Sequence, residues 1–257
     1  MPDLRAAALV AKKLRDILMS GYRRSGLADA IPAEISGHSA DGAPSPDPHL
    51  AIAPLAFLGR PHASGAVYGF ALIPPRHRPL LDEREFQQAL AAVSDWNADE
   101  GRRELKARLE SRELVFGFGA ETGRASLDPR PYLAEARVWA SCTPVVLDRH
   151  LKETANEARE REIAGLLARA CTNIGLPPPV KVASDKHSAF EGAPSAYPSG
   201  GAPAWMRWRL PGSLASRQLT HAVVEFENPV RGPVLLGAGR FVGLGLMRPL
   251  RPAEPPR

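Results

Sequence analysis

Cysteine is scarce in this sequence, and its scarcity argues against two kinds of structural cross-link, a zinc site and a disulfide framework. The chain of 257 residues contains only Cys142 and Cys171, and neither has a second ligand at the spacing of a zinc site or a disulfide framework. We expect both to be buried thiols of a reducing, cytoplasmic compartment. We also expect neither a signal peptide nor a membrane span in the first segment, because this amphipathic segment carries Lys12, Lys13 and Arg15.

Two common nucleotide-binding patterns are missing, although glycines are grouped in "GPVLLGAGRFVGLGLMRP". Their spacing, G-x-G-x-x-x-G-x-G at Gly237, Gly239, Gly243 and Gly245, is not the dinucleotide fingerprint. Arg240 is not followed by the Lys-Ser/Thr of a P-loop, and the residues after the glycines predict no helix and second strand. Glycine lets the backbone approach a ligand closely, so such loops often contact phosphate. We predict a phosphate-binding loop before a last strand, with a tight packing turn as the alternative.

Negative charge is scarce toward the C-terminus. From residue 203 onward there are eight Arg, no Lys and three acidic residues, an excess of five positive charges that equals the +5 of the whole chain. Arginine is preferred for bidentate phosphate contacts and for stacking on bases. The distribution favours an anionic partner, and the alternative is a set of solvated surface arginines.

Hydrophobic periodicity predicts a soluble α+β protein. Helices are predicted at 4–24, 81–96 and 153–175, a polar loop at 31–47, and strands at 49–59, 66–75, 114–119, 136–148, 180–184, 204–210, 220–227 and 244–249. The order of elements occurs roughly twice, so we predict two tandem ferredoxin-like (RRM-like) units with a C-terminal glycine-rich loop. The predicted divisions are an N-terminal helix and loop at 1–48, a first unit at 49–147, a second unit at 137–250 and a tail at 251–257.

Three blocks of sequence resemble a known family. "PHLAIAPLAFLGRPHASGAVYGFALIPPR", "SCTPVVLDRH" and "GAGRFVGLG" are similar to the type I-G (formerly type I-U) CRISPR fusion subunit of the repeat-associated RNA-binding superfamily. The fusion is longer at its N-terminus, so this chain resembles only its repeat-processing endoribonuclease part. The resemblance implies CRISPR repeat RNA as the partner, together with other subunits of a type I effector complex. It implies no cofactor and no metal.

The resemblance also implies a reaction. In such enzymes a 2′-hydroxyl attacks the adjacent phosphate of repeat RNA, which leaves a 2′,3′-cyclic phosphate and a 5′-hydroxyl. The reaction needs a base, an acid and a positive charge at the phosphorane, which histidine and arginine can supply near neutral pH. The alternative function is a non-catalytic RNA-binding subunit of the same kind of complex.

Three histidines are the predicted catalytic residues. His62 comes first, because it lies in a polar turn beside Arg60 after the first strand, where related enzymes commonly carry their catalytic histidine; the alternative is an exposed turn residue. His49 begins that strand and is predicted to approach the same phosphate, unless it caps a strand edge. His38 lies in the polar loop. His221 starts an apolar strand and is predicted to be structural.

The predicted RNA-binding residues are arginines and the backbone of the glycine-rich loop. In "AWMRWRL" a strand would place Trp205, Arg207 and Arg209 on one face, which is typical of a single-stranded RNA platform and also of a sheet covered by a helix. The full set is Arg60, Arg207, Gly237, Gly239, Arg240, Gly243, Gly245 and Arg248.

Overall fold

The structure is a computed structural model that describes residues 2–39, 42–43, 45, 47–118 and 123–250. The predicted tail at 251–257 lies outside the described residues. The helices are α1 (Ala7–Arg24), α2 (Ala33–Ser36), α3 (Arg84–Ala91), α4 (Arg130–Leu133) and α5 (Asn156–Asn173). The strands are β1 (Ala51–Ala56), β2 (Val67–Ile73), β3 (Asp95–Asn97), β4 (Arg102–Leu109), β5 (Arg112–Gly117), β6 (Glu135–Ser141), β7 (Val145–Val146), β8 (Lys181–Asp185), β9 (Leu219–Arg231), β10 (Val234–Leu235) and β11 (Leu246–Pro249).

The N-terminal helix α1 forms as its hydrophobic spacing predicts. Val10, Leu14, Leu18 and Tyr22 recur at intervals of four and are buried. One 3₁₀ turn precedes the helix, and the Asp3 carboxylate accepts the N–H of the second residue of that turn at 2.8 Å. The buried face packs on β1 and α3, so α1 covers the start of the first predicted unit.

The first half of the chain forms two small antiparallel sheets. β1 pairs with β2, and Pro54 in β1 stands opposite Phe70. β3, β4 and β5 make a separate three-stranded sheet. The sequence prediction missed β3 and β4 and placed a helix over 81–96, whereas α3 ends at Ala91. In β4 only Leu105 and Ala107 are buried between charged side chains, so the apolar signal of this strand is weak.

The second half forms a larger antiparallel sheet. Its path is β10-β11-β6-β9-β7, and β8 also pairs with β9. α5 covers one face, with Leu166, Leu167 and Ala170 packed in a core that includes Trp139 and Phe226. The central strand order is β11-β6-β9-β8, and the chain runs from β6 through the short β7 and α5 to β8 and then β9.

The predicted α+β class is confirmed, whereas two tandem ferredoxin-like units are not. The described strands between residues 49 and 134 lie in two sheets and not in one four-stranded sheet. The boundaries of the predicted divisions therefore remain predictions. No helix among the described residues is long and apolar enough to cross a membrane.

The strand predicted at 204–210 is wrong. Ala204–Met206 is a single 3₁₀ turn that follows Pro203, and the residues after it are irregular up to Pro211. Proline at both ends of the segment opposes strand pairing. The predicted RNA platform on a sheet face therefore does not exist, although Trp205 and Arg207 are exposed.

Candidate functional site

The glycine loop, residues 237–245, is held between β1 and the segment that leads into β7. Thr143 is fully buried and donates its hydroxyl hydrogen to the carbonyl of Gly243 at 2.9 Å. The carbonyl of Pro144 accepts the N–H of Gly245 at 2.8 Å. Two sequence blocks that carried the resemblance, "SCTPVVLDRH" and "GAGRFVGLG", are thus bonded to each other.

The third block reaches the same loop through β1. Gly243 has φ +76°, and a Cβ there would lie 2.5 Å from Cδ of Pro54 and 2.6 Å from the carbonyl oxygen of Ile52. Only glycine combines this backbone conformation with so close an approach. Gly237, Gly239 and Gly245 are buried as well, so packing within the protein already requires a glycine-rich sequence here.

Two of the predicted backbone donors are used inside the protein. The N–H of Gly243 donates to the carbonyl of Arg240 at 3.3 Å, and the N–H of Gly245 donates to Pro144. These two amides do not point at solvent. The side chain of Arg240 is therefore the better candidate for a contact with phosphate.

Arg240 lies on the loop with its guanidinium 4.2 Å from the ring centroid of Phe241. The guanidinium also donates to the carbonyl of Gly237 at 3.3 Å. Burial lowers the pKa of Arg240, and the carboxylate of Asp148 opposes that shift. Arg240 is a half-buried cation stacked on an aromatic ring, which restricts its orientation.

His49 packs edge-on against the same aromatic ring. The ring centroids of His49 and Phe241 are 4.4 Å apart at an interplanar angle of 82°. Both ring nitrogens of His49 are buried, and neither has a hydrogen-bond partner among the described residues. Burial, together with the charges of Arg15 and Arg240, lowers the pKa of His49 against the opposing effects of the Gly37 backbone and the Asp47 carboxylate, which favours the neutral imidazole.

Arg15 connects α1 to His49 and the glycine loop. It was not predicted from the sequence as a functional residue. Its guanidinium donates to the carbonyl of Leu50 at 2.5 Å and to the carbonyl of Phe241 at 2.8 Å. Burial lowers the pKa of Arg15. We call His49, Arg15, Arg240 and Phe241 the glycine-loop cluster.

His38 lies next to the glycine-loop cluster. It follows Gly37, whose ideal Cβ position is 3.7 Å from Cδ2 and Nε2 of the His49 ring. The His38 side chain is exposed, and its Nδ1 is 3.0 Å from the carbonyl oxygen of Ser36. The structure thus places a covered histidine at the glycine loop and an exposed one next in sequence to Gly37, which borders the covered ring.

His62 lies beyond the other end of β1. Its side chain is exposed, its backbone has φ +63°, and its N–H donates to the Glu191 carboxylate at 2.9 Å. A positive φ is uncommon for a residue with a Cβ. Arg60, the predicted neighbour, is exposed in the same loop.

Arg248 contacts the start of the loop that carries His62. Its guanidinium lies 4.2 Å from the ring centroid of Phe190 and donates to the carbonyl of Leu58 at 3.2 Å. These contacts hold the half-buried side chain against the protein. Arg248 therefore positions the His62 loop.

The structure separates two histidines that the sequence placed near one phosphate. His49 precedes β1 and His62 follows it, and the six residues of β1 alone span about 17 Å. His49 belongs with Arg15 and Arg240, whereas His62 belongs with Arg60 and Glu191.

The predicted structural histidine and the predicted buried thiols are confirmed. His221 is 1% exposed; its Nδ1 accepts the Ser141 hydroxyl at 2.9 Å, and its Nε2–H donates to the Pro194 carbonyl at 2.9 Å. Cys142 and Cys171 are free and buried. Within the described ranges, no group of three or more His, Cys, Asp or Glu side chains is placed to hold a metal ion.

The glycine loop and both histidine positions before and after β1 lie inside one family match. The chain matches the model of the CRISPR-associated protein GSU0054 family over residues 10–249. This match covers nearly all of the sequence, and the chain belongs to that family. Neither a search of curated proteins nor a search of solved structures gave a significant match.

Proposed function

We propose that this CRISPR-associated protein is a metal-independent endoribonuclease that cuts repeat RNA, and that it corresponds to the repeat-processing part of a type I-G subunit. The observation that carries the proposal is the position of His49. The imidazole of His49, whose two nitrogens make no hydrogen bond to the described residues, lies beside Arg240 and the glycine loop, and burial favours its neutral form. The chain belongs to a family of CRISPR-associated proteins. A neutral imidazole is the form that can accept a proton.

The residues supply the three functions that the reaction needs. His49 accepts the proton of the 2′-hydroxyl as its oxygen bonds to phosphorus, and His38 donates a proton to the 5′-oxygen as the phosphorus–oxygen bond breaks. Arg240 stabilises the negative charge of the phosphorane. The products are a 2′,3′-cyclic phosphate and a 5′-hydroxyl. His62, beside Arg60, is the alternative general base.

The test is cleavage of the cognate repeat RNA in EDTA. We expect one cut with a 2′,3′-cyclic phosphate end, and no cut when the nucleotide before the site is 2′-deoxy. His49→Gln should lower the single-turnover rate at least ~100-fold, the scale of one positioned acid or base, while RNA affinity stays within about twofold. The exposed His150→Gln is the matched control. A strict requirement for Mg²⁺ would refute the proposal.

A second candidate, a non-catalytic RNA-binding subunit, is favoured by one observation. The ring nitrogens of His49 are covered by protein, and a base must reach its substrate. On this alternative the repeat RNA binds but is recovered intact after long incubation at saturating protein. The same reaction mixtures distinguish the two functions, because binding and cleavage are measured on one RNA.

A further inference from the structure

A second basic site lies apart from the glycine-loop cluster. An open groove with a volume of about 500 Å³ runs beside α5 and the start of β9. Its wall includes Arg159, Arg207 and Arg217 together with Tyr197 and Trp208, and no carboxylate side chain is among the residues that line it. We call it the arginine groove.

The three arginines come from segments that are distant in sequence. Arg159 lies on α5, Arg207 follows the turn Ala204–Met206, and Arg217 precedes β9. Arg217 is held in place by a hydrogen bond to the carbonyl of Asp148 at 2.6 Å. Within the described part of the chain, the guanidinium groups of Arg159 and Arg207 make no hydrogen bond or ion pair. A concave surface with charges of one sign raises the local concentration of anions.

An aromatic wall makes the arginine groove more specific than a simple anion site. Tyr197 is 48% exposed, and Lys186 lies 5.5 Å from the centroid of its ring. Trp208 is 7% exposed, and its indole N–H donates to the carbonyl of Ser195 at 2.8 Å, so the indole is fixed. Aromatic rings next to arginines suit a ligand that combines planar bases with phosphates.

The arginine groove connects to the glycine loop through one residue. Burial raises the pKa of the Asp148 carboxyl, and the charges of Arg240 and Arg217 oppose that shift. The Asp148 carboxyl therefore lies within electrostatic range of one cation of the glycine loop and of one arginine of the arginine groove.

We propose that the arginine groove binds a single-stranded RNA segment, with a base against Tyr197 and phosphates at Arg159 and Arg207. The inference rests on the proposed function only in taking RNA as the ligand. It adds a binding site that takes no part in the cleavage step.

The first test is a titration with a fluorescein-labelled oligouridylate of about ten nucleotides, a length that one small domain can hold. We expect the double variant Arg159→Gln/Arg207→Gln to bind at least about tenfold more weakly and to flatten the slope of log K against log salt by about 1.4. Arg169→Gln, on an exposed face of the same helix, is the matched control. Equal losses in the control, or unchanged binding in the double variant with an unchanged melting temperature, would overturn the proposal.

The second test addresses the base and the source of the ligand. Tyr197→Ala should weaken binding about tenfold, the usual effect of one stacked base, whereas Tyr197→Phe should keep the wild-type affinity. Free UMP should compete only at concentrations far above those of the oligomer. Competition by UMP at similar concentrations, or by polyglutamate, would overturn an RNA strand as the ligand.

Failure of this inference is distinguishable from failure of the proposed function. The oligouridylate titration measures binding alone, so it is informative even if repeat RNA is never cut. Repeat RNA that is cut normally by the double variant, with no loss of oligouridylate binding, would remove the arginine groove and leave the cleavage proposal intact.

Discussion

The two ends of β1 carry histidines and arginines in opposite surroundings. At its beginning, His49 is covered, packed on Phe241 and flanked by two cations that lower its pKa. Beyond its end, His62 is exposed and its backbone is bonded to the carboxylate of Glu191. Burial and the two neighbouring cations both favour the neutral form of the His49 imidazole.

The largest expected effect concerns the glycine loop that closes the His49 end. Gly243→Val should lower the free energy of unfolding by about 2–5 kcal/mol, because the side chain would clash with β1 at a positive φ. Urea unfolding measures the loss. Gly200→Val is the matched control, because no heavy atom lies within 4 Å of its ideal Cβ position. Similar losses in both variants would mean that the loop is not tightly packed.

The next effect is a difference in cleavage rate between variants at the two ends of β1. In EDTA, His49→Gln should reduce repeat cleavage at least ~100-fold and His62→Gln less than about threefold, because only the former removes a positioned base. Single-turnover measurements on the two variants side by side give the ratio. The reverse ratio would place the active site at the His62 end of β1. His62, the first of the histidines predicted from the sequence, would then be the general base.

A smaller effect is expected in the pH dependence of stability. The pKa of His49 and that of His221 are both lowered by burial, so the unfolded chain binds protons more readily than the folded protein. The stability from these neutral imidazoles is present above the unfolded pKa of about 6.5 and is lost as the pH falls below it. Unfolding curves from pH 8 to pH 5 should show this loss, and it should be smaller in His49→Gln. An equal loss in that variant would mean that His49 contributes nothing to the pH dependence of stability.

The smallest effect is a change in salt dependence. Arg240→Gln should fold normally and should flatten the slope of log K against log salt for repeat RNA by about 0.7, the value for one phosphate contact on a single strand. Arg248→Gln should leave the slope unchanged, because that guanidinium lies at Leu58, beyond the other end of β1 from the glycine-loop cluster. If Arg248→Gln changes the slope and Arg240→Gln does not, the RNA lies at the His62 end.

Local sequence predicted those elements whose apolar pattern is strong. The three-and-four spacing of α1 and α5 and the apolar runs of β1, β2, β6 and β9 were sufficient. β4 was missed because only two of its side chains are buried and most of the others are charged. The segment 204–210 was predicted as a strand from its alternating aromatic and arginine residues, although a proline stands at each end.

The candidate site was predicted by its motifs but not by its geometry. The sequence indicated the glycine loop and His49, and the structure joins them through Phe241. Arg15 could not be found in this way, because a lysine- and arginine-bearing helix predicts a solvated face. Its partners are separated from it by long stretches of sequence, so only the tertiary fold shows the contact.

The two hydrogen bonds of Arg15 determine when the candidate site can form during protein synthesis. One accepting carbonyl belongs to Leu50, whereas the other belongs to Phe241, which is 226 positions after Arg15 in the chain. Contacts of such large sequence separation form slowly, and the N-terminal part of a chain is made first. A ribosome-bound chain that stops before the glycine loop has α1 and β1 but lacks one of the two carbonyl oxygens that accept hydrogen bonds from the Arg15 guanidinium. The candidate site is therefore completed only after Phe241 has been synthesised.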